Sequence, residues 1–160
     1  MKAINLILVI FLITTIFISS AKAQKAIDLE KEKEELLKVH KVDREAHFKT
    51  DVDLLLQHST EEFISVNSGK ISKSSRTELK QMFEEYFENA KYYEWDDLET
   101  PIIRISNDAS MAWMIVRIKV KRTQFKSNEN KDREFVYAGI MTYEKQHNKW
   151  VRIANVSTFE

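Results

Sequence analysis

Asp43 and His47 stand at i and i+4 in a stretch that reads as one long helix. Helical periodicity puts them within about 40° of each other, so their side chains can meet. They interrupt an apolar stripe made by Leu29, Leu36, Val39 and Ala46, and His40 flanks the same stripe. A carboxylate and an imidazole turned toward a core cost free energy unless they are satisfied. A carboxylate accepting from one imidazole nitrogen fixes the tautomer and leaves the other nitrogen for chemistry. The pair is therefore a candidate general base, His47, oriented by Asp43, or a grip on a ligand. The same two residues also suit a plainer role, a satisfied polar pair that pins the helix to a strand or turn.

Aromatic residues are the second candidate group: Trp95, Trp113, Tyr137, Tyr93, Phe135 and Trp150 among them. Strand alternation pairs Trp95 with Tyr93, and Tyr137 with Phe135, on shared faces. These rings could line a pocket, with Trp95, Trp113 and Tyr137 as ligand contacts, or simply pack a core. Asp43 and His47 could give a metal two ligands, but no third stands at telling spacing and no HExxH occurs, so neither metal nor cofactor is expected. Phosphate loops and nucleophile elbows do not appear. His58 and His147 sit beside turns.

The elements that must position these residues follow from pattern. Asp28 to Lys49 reads as an amphipathic helix whose charged side runs from Glu30 to Lys49. Asp51 to Gln57 is a short second helix. Glu62 to Asn67 is a strand, closed by the turn Asn67-Ser68-Gly69-Lys70, where Gly69 can take positive φ. Ser75-Arg76-Thr77-Glu78 is a capping box. It opens a helix whose Leu79, Met82, Phe83, Tyr86 and Phe87 face the core.

The rest reads as strand. Tyr92–Leu98 and Ile102–Ile105 form one strand interrupted at Pro101, which lacks an N–H. Met111–Arg122, Glu134–Glu144 and Trp150–Ser157 follow, with Thr123–Asp132 as a polar connection. Helices first and strands later imply α+β, with an antiparallel sheet curved around the helices. Met111–Arg122 offers apolar residues on both parities: Ala112, Met114, Val116 and Ile118 on one, Trp113 and Ile115 on the other. One face packs on the helices, so the other needs a partner, and a homodimer through the sheet is expected.

The chain's 160 residues suit one domain behind a leader. Lys2, the apolar run Ile4–Ile18 and Ser19-Ser20-Ala21-Lys22-Ala23 read as a signal peptide cut after Ala23. Residues 1–23 are then the leader and 24–160 the mature domain, exported to a periplasm or secreted, with no membrane attachment after cleavage. Of 25 basic side chains, Lys2 and Lys22 leave with the leader, so 23 face 25 acidic ones. That balance supplies no basic footprint for nucleic acid. With no Cys, the domain must hold together in an oxidising compartment by its core alone.

Several segments carry a resemblance. Asp43-Arg44-Glu45-Ala46-His47-Phe48-Lys49-Thr50-Asp51-Val52-Asp53 running into Leu54-Leu55-Leu56 is one. Phe63-Ile64-Ser65-Val66-Asn67-Ser68-Gly69-Lys70-Ile71, the capped helix, and the terminal Lys149-Trp150-Val151-Arg152-Ile153-Ala154-Asn155-Val156-Ser157 are the others. In this order they resemble the SnoaL-like and ketosteroid-isomerase-like domains of the nuclear transport factor 2-like superfamily, over about Asp28 to Glu160. The resemblance implies a cystatin-like roll: a cone of strongly curved antiparallel sheet around N-terminal helices, with a pocket at its open end and frequent dimerisation through the sheet. It also implies a pocket-facing polar residue at Asn155.

The steroid isomerases keep a base Asp just before the turn after the first strand. Here that segment is Val66-Asn67-Ser68-Gly69, without a carboxylate, and their Tyr and protonated Asp have no match. Ketosteroid-type proton transfer is thus not expected. The expected role is binding a small, partly apolar molecule in the cone. An isomerase, lyase or hydrolase using Asp43 and His47, or an interaction module with a filled pocket, are the alternatives.

Overall fold

A computed structural model describes residues 27–126 and 129–160. The expected signal peptide lies outside the described residues. The elements are α1 (Leu29–Lys49), α2 (Val52–Leu56), β1 (Ser59–Asn67), β2 (Lys70–Ser75), α3 (Arg76–Glu88), β3 (Ala90–Asp97), β4 (Ile102–Ile105), β5 (Met111–Lys126), β6 (Glu129–Gln146) and β7 (Lys149–Phe159).

Local chemistry sets the helix ends. Asp28 caps α1 by accepting from the Lys31 N–H at 3.1 Å, and Glu30 and Glu32 complement the dipole of its first turn. Thr50 ends it in the left-handed region at φ 51°. Asp51 then caps α2 through the Leu54 N–H at 2.9 Å. The capping box of α3 forms as expected: the Ser75 N–H donates to Glu78 Oε2 at 2.7 Å, and Ser75 Oγ accepts from the Glu78 N–H at 3.3 Å. Leu36, Val39, His40, Asp43, Ala46 and His47 form the buried stripe of α1, while Leu29, in the first turn, is exposed. The Trp150 indole N–H donates to Glu32 at 3.0 Å and ties the start of α1 to β7.

The sheet runs β2-β1-β7-β6-β5-β3, with β4 beside β5. It is large, curved and unclosed, and α1 packs in its concavity on Met114, Val116, Val120 and Tyr143. One pairing departs from the antiparallel expectation: β1 and β7 run parallel. This joins the first hairpin to the last strand. Both β3 and β4 lie along β5, as one strand broken around Pro101 would.

Two segments differ from the sequence reading. Thr123–Asp132, expected as a connection, is mostly ladder, with Thr123 opposite Asp132 and Phe125 opposite Asn130. Backbone pairing needs no apolar side chains, so polarity alone could not separate an exposed hairpin arm from a loop. The strand β2 was hidden for the same reason: Lys-Ile-Ser-Lys-Ser-Ser carries almost no apolar alternation.

Two irregularities decide what faces the concavity. Register slips between Tyr92 and Glu94 in β3, and beside Ile153 where β7 pairs with β6. Each bulge resets the alternation. Trp95 therefore shares its face with Tyr92, and Tyr93, expected beside Trp95, is exposed. Arg152 and Asn155, three residues apart, both point inward by the same device.

Candidate functional site

A cavity of about 400 Å³ opens between the concave sheet, α1 and α3. Its deepest polar feature is an ion pair, with Arg152 Nη1 donating to Asp43 Oδ2 at 2.7 Å and both side chains almost fully buried. Arg152 also reaches the Leu55 carbonyl at 3.4 Å and packs against the Phe63 ring. Burial pushes the Asp43 carboxyl above its ordinary value, and Arg152 pulls against that shift. Asp43 Oδ1, Arg152 Nε and Asn155 Oδ1 are buried without partners among the described residues.

His47 does not meet the Asp43 carboxylate. Its Nδ1 donates instead to the Asp43 backbone carbonyl at 2.7 Å, one helical turn back. A carbonyl only accepts, so the proton sits on Nδ1 and Nε2 is an acceptor. The ring is stacked on Trp95 at 3.5 Å and 19°, and meets the rings of Tyr92, Phe87 and Tyr86 edge-on. Burial pushes its pKa down to about 3, so the imidazole is neutral at ordinary pH. His40 Nε2 lies 2.9 Å from both Asp97 oxygens and fastens α1 to the end of β3. The expected Asp43–His47 contact is thus replaced by two separate arrangements. Arg152, a longer and permanently charged donor, takes the carboxylate, while the i−4 carbonyl is the nearest acceptor for the imidazole.

Two unlike walls enclose the space above the pair. One is aromatic, from Phe83 and Tyr86 on α3, Trp95 on β3, Phe135 and Tyr137 on β6, and Phe159 on β7. The other carries neutral polar groups: Ser65 and Asn67 on β1, Ser72 and Ser74 on β2, Asn155 and Ser157 on β7. The Ser65 and Ser72 hydroxyls bond to each other at 2.8 Å across the hairpin. Trp95, Tyr137 and Asn155, expected as ligand contacts, all line the cavity. Trp113 does not. Its parity on β5 is opposite to that of buried Ala112 and Met114, so it lies on the convex face beside Arg104 and Thr142.

Two further residues, Arg152 and Gly139, shape the site. Arg152 was hidden by the bulge, since simple alternation gives no reason to pair it with α1. Gly139 sits opposite Ser157; a Cβ there would lie 2.5 Å from the Tyr137 hydroxyl and 3.0 Å from the Val156 carbonyl oxygen. Only glycine lets that ring lie down on the sheet. A glycine inside an otherwise apolar strand is the signal that could have marked it.

No family model matches the chain, and no curated protein does. Solved structures do. A conserved protein from Planctomyces limnophilus superposes with a TM-score of 0.66 at 16% identity, covering 82% of this chain and 99% of that one. A ketosteroid isomerase-like protein from Erwinia carotovora atroseptica gives 0.61 at 12% identity, covering 78% and 93%. A nuclear transport factor 2-like protein with a cystatin-like fold from Novosphingobium aromaticivorans gives 0.60 at 12% identity, covering 81% and 82%. Together with the curved sheet around α1, these likenesses give the chain the nuclear transport factor 2-like, cystatin-like fold.

Proposed function

We propose that the protein is an exported binding protein that holds the apolar part of a small molecule in its cone. The observation that carries this reading is the pairing of an aromatic wall with a wall of neutral hydroxyl and amide groups around one cavity. Such a lining suits a ring or short chain bearing hydroxyl or carbonyl oxygens. The chemistry of the polar residues favours binding over turnover. A general base works best with a pKa near the operating pH. His47 is held far below that, and the Asp43 carboxylate is engaged by Arg152.

The neutral dye N-phenyl-1-naphthylamine tests this. It is expected to brighten on binding, and Trp95→Leu should weaken it about tenfold, the loss of one good aromatic contact and its buried area. Trp113→Leu, on the convex face, should leave it unchanged. Equal losses in the two variants, or no binding to the wild type, would sink the proposal.

We also propose that two copies associate through the convex face. The strand register aligns Ile102, Ile115, Ile140, Val156, Val66 and Ile71 in one row across β4, β5, β6, β7, β1 and β2. Ile71 is 78% exposed and Ile102 51%. A continuous aliphatic row of this kind is costly in water and self-complementary about a twofold axis. Sedimentation of protein from the exported fraction, its mass starting at Gln24, should give a dimer, and Ile115→Lys a folded monomer. A wild-type monomer at tens of micromolar, roughly the range where a standard-sized interface is populated, would contradict it.

A further inference from the structure

Beside the cavity lies a second, more open cleft of about 640 Å³ between the end of α3 and the far arm of the β5–β6 hairpin. The two spaces share Met82 and Tyr86. Arg122 is the centre of the cleft. Its guanidinium lies 5.4 Å from the Tyr86 and Phe135 ring centroids and 5.8 Å from that of Tyr92, and Nη1 donates to the Tyr92 hydroxyl at 2.9 Å. Tyr86 and Phe135 are themselves walls of the cavity. The guanidinium therefore stands directly behind the aromatic wall, held in place by rings.

Its charge is not answered. Arg44, Arg117 and Arg152 each pair with a carboxylate. Arg122 forms no ion pair among the described residues, and its Nε is buried without a partner. Register places Arg133 directly opposite Arg122, and Lys131 opposite Gln124, on the same concave face. Neither Arg133 nor Lys131 is paired among the described residues. Like charges directly opposed across two strands are unfavourable. The other face of this same hairpin shows the usual remedy: Lys119 and Lys121 share Glu94 and Glu134. Among the described residues Glu85 is the one carboxylate lining the cleft, and no ion pair joins it to Arg122.

We propose that this cleft receives the anionic end, a carboxylate or other singly charged oxyanion, of an amphipathic ligand whose apolar part lies in the cavity. The inference rests on the reading of the cavity as a binding site and adds the ligand's charge and orientation. The guanidinium of Arg122 keeps terminal N–H groups that its bond to Tyr92 does not use, and these can donate to an oxyanion, with Arg133 completing the neutralisation. Glu85 and the carbonyl end of α3 disfavour a multiply charged group, which points to a single negative charge.

A matched pair of dyes separates the two claims. N-Phenyl-1-naphthylamine and 8-anilinonaphthalene-1-sulfonate share one ring system, and only the second carries an anion. At low salt the sulfonate should bind the purified protein at least about tenfold more tightly, as a charge-assisted hydrogen bond allows, and salt should erode the difference. Arg122→Gln should reduce sulfonate binding to the level of the neutral dye, so that the ratio of the two affinities falls to about one. Arg133→Gln, at an exposed position, should cost the sulfonate several-fold and serves if Arg122→Gln fails to fold. Equal affinity of the two dyes for the wild type overturns this inference and leaves the cavity reading standing. A sulfonate advantage that survives Arg133→Gln, or an Arg122→Gln variant that weakens both dyes alike, overturns it too. Failure of both dyes to bind overturns the cavity reading and this inference with it.

Discussion

Replacing Arg152 by methionine is expected to destabilise the domain by about 3–5 kcal/mol at neutral pH, the cost of stranding one member of a buried ion pair. The methionine can fill much of the arginine's volume but cannot answer the Asp43 carboxylate, which forms no other ion pair among the described residues. The carboxyl would escape its charge by taking up a proton, so the deficit should shrink as the pH falls. Asp43→Leu added to Arg152→Met should recover most of the loss, because both charges then leave together. Urea unfolding of the four proteins at pH 7 measures this. A single-variant loss below about 1 kcal/mol, within the range of an exposed pair, would mean that the pair is not the buried anchor described.

Acidification should destabilise the native protein well above the usual carboxylate range. The folded pKa of His47 is pushed down from 6.5 to about 3 by burial. A base whose folded pKa is depressed stays neutral in the native state while the unfolded chain takes up a proton. Its contribution is therefore fully present above pH 6.5 and is lost as the pH falls toward 3. By pH 5 the loss should be about 2 kcal/mol, from about 1.4 kcal/mol per pH unit over that interval. His58, half-buried and also lowered, acts in the same direction more weakly. Asp43 acts oppositely: burial raises its folded pKa, so its contribution is present below 3.8 and lost as the pH rises through the folded value. Unfolding free energies at pH 7.5 and 5 check this. His47→Gln should flatten the dependence between those values, whatever it does to stability at pH 7.5. An unchanged slope in that variant would place the titrating group elsewhere.

These two residues also show how far the sequence could be read. The stripe of α1 was legible because helical periodicity is local: Asp43 and His47 are buried, as their positions between Val39 and Ala46 require. Their partners were not legible. Arg152 reaches Asp43 only because β7 bulges beside Ile153 and returns parallel to β1, and neither feature leaves a mark in hydrophobic pattern. The bulge at Tyr93 likewise inverted the face on which Trp95 was expected to have its neighbour, yet left Trp95 itself in the cavity. Trp113 was misplaced for a simpler reason. Both parities of β5 are apolar, one for the core and one for the convex row, and composition cannot tell them apart. The fold was more legible than the site because it depends on element order, capped ends and turns such as Asn67–Lys70, where Ser68 and Gly69 take φ of 50° and 75°. The cavity depends on single side chains brought together from β1, β2, β3, β5, β6, β7 and three helices.

On the proposed function, ligand enters between the aromatic wall and the hydroxyl wall. The most direct test is backbone amide shift mapping of the isotopically labelled protein titrated with N-phenyl-1-naphthylamine. Shifts should concentrate at Ser65, Ser72, Asn155 and Ser157 on one side and Trp95, Tyr137 and Phe159 on the other, with saturation at one dye per chain. Shifts confined to the convex row around Ile115 and Val156, or spread evenly over the sheet, would contradict it.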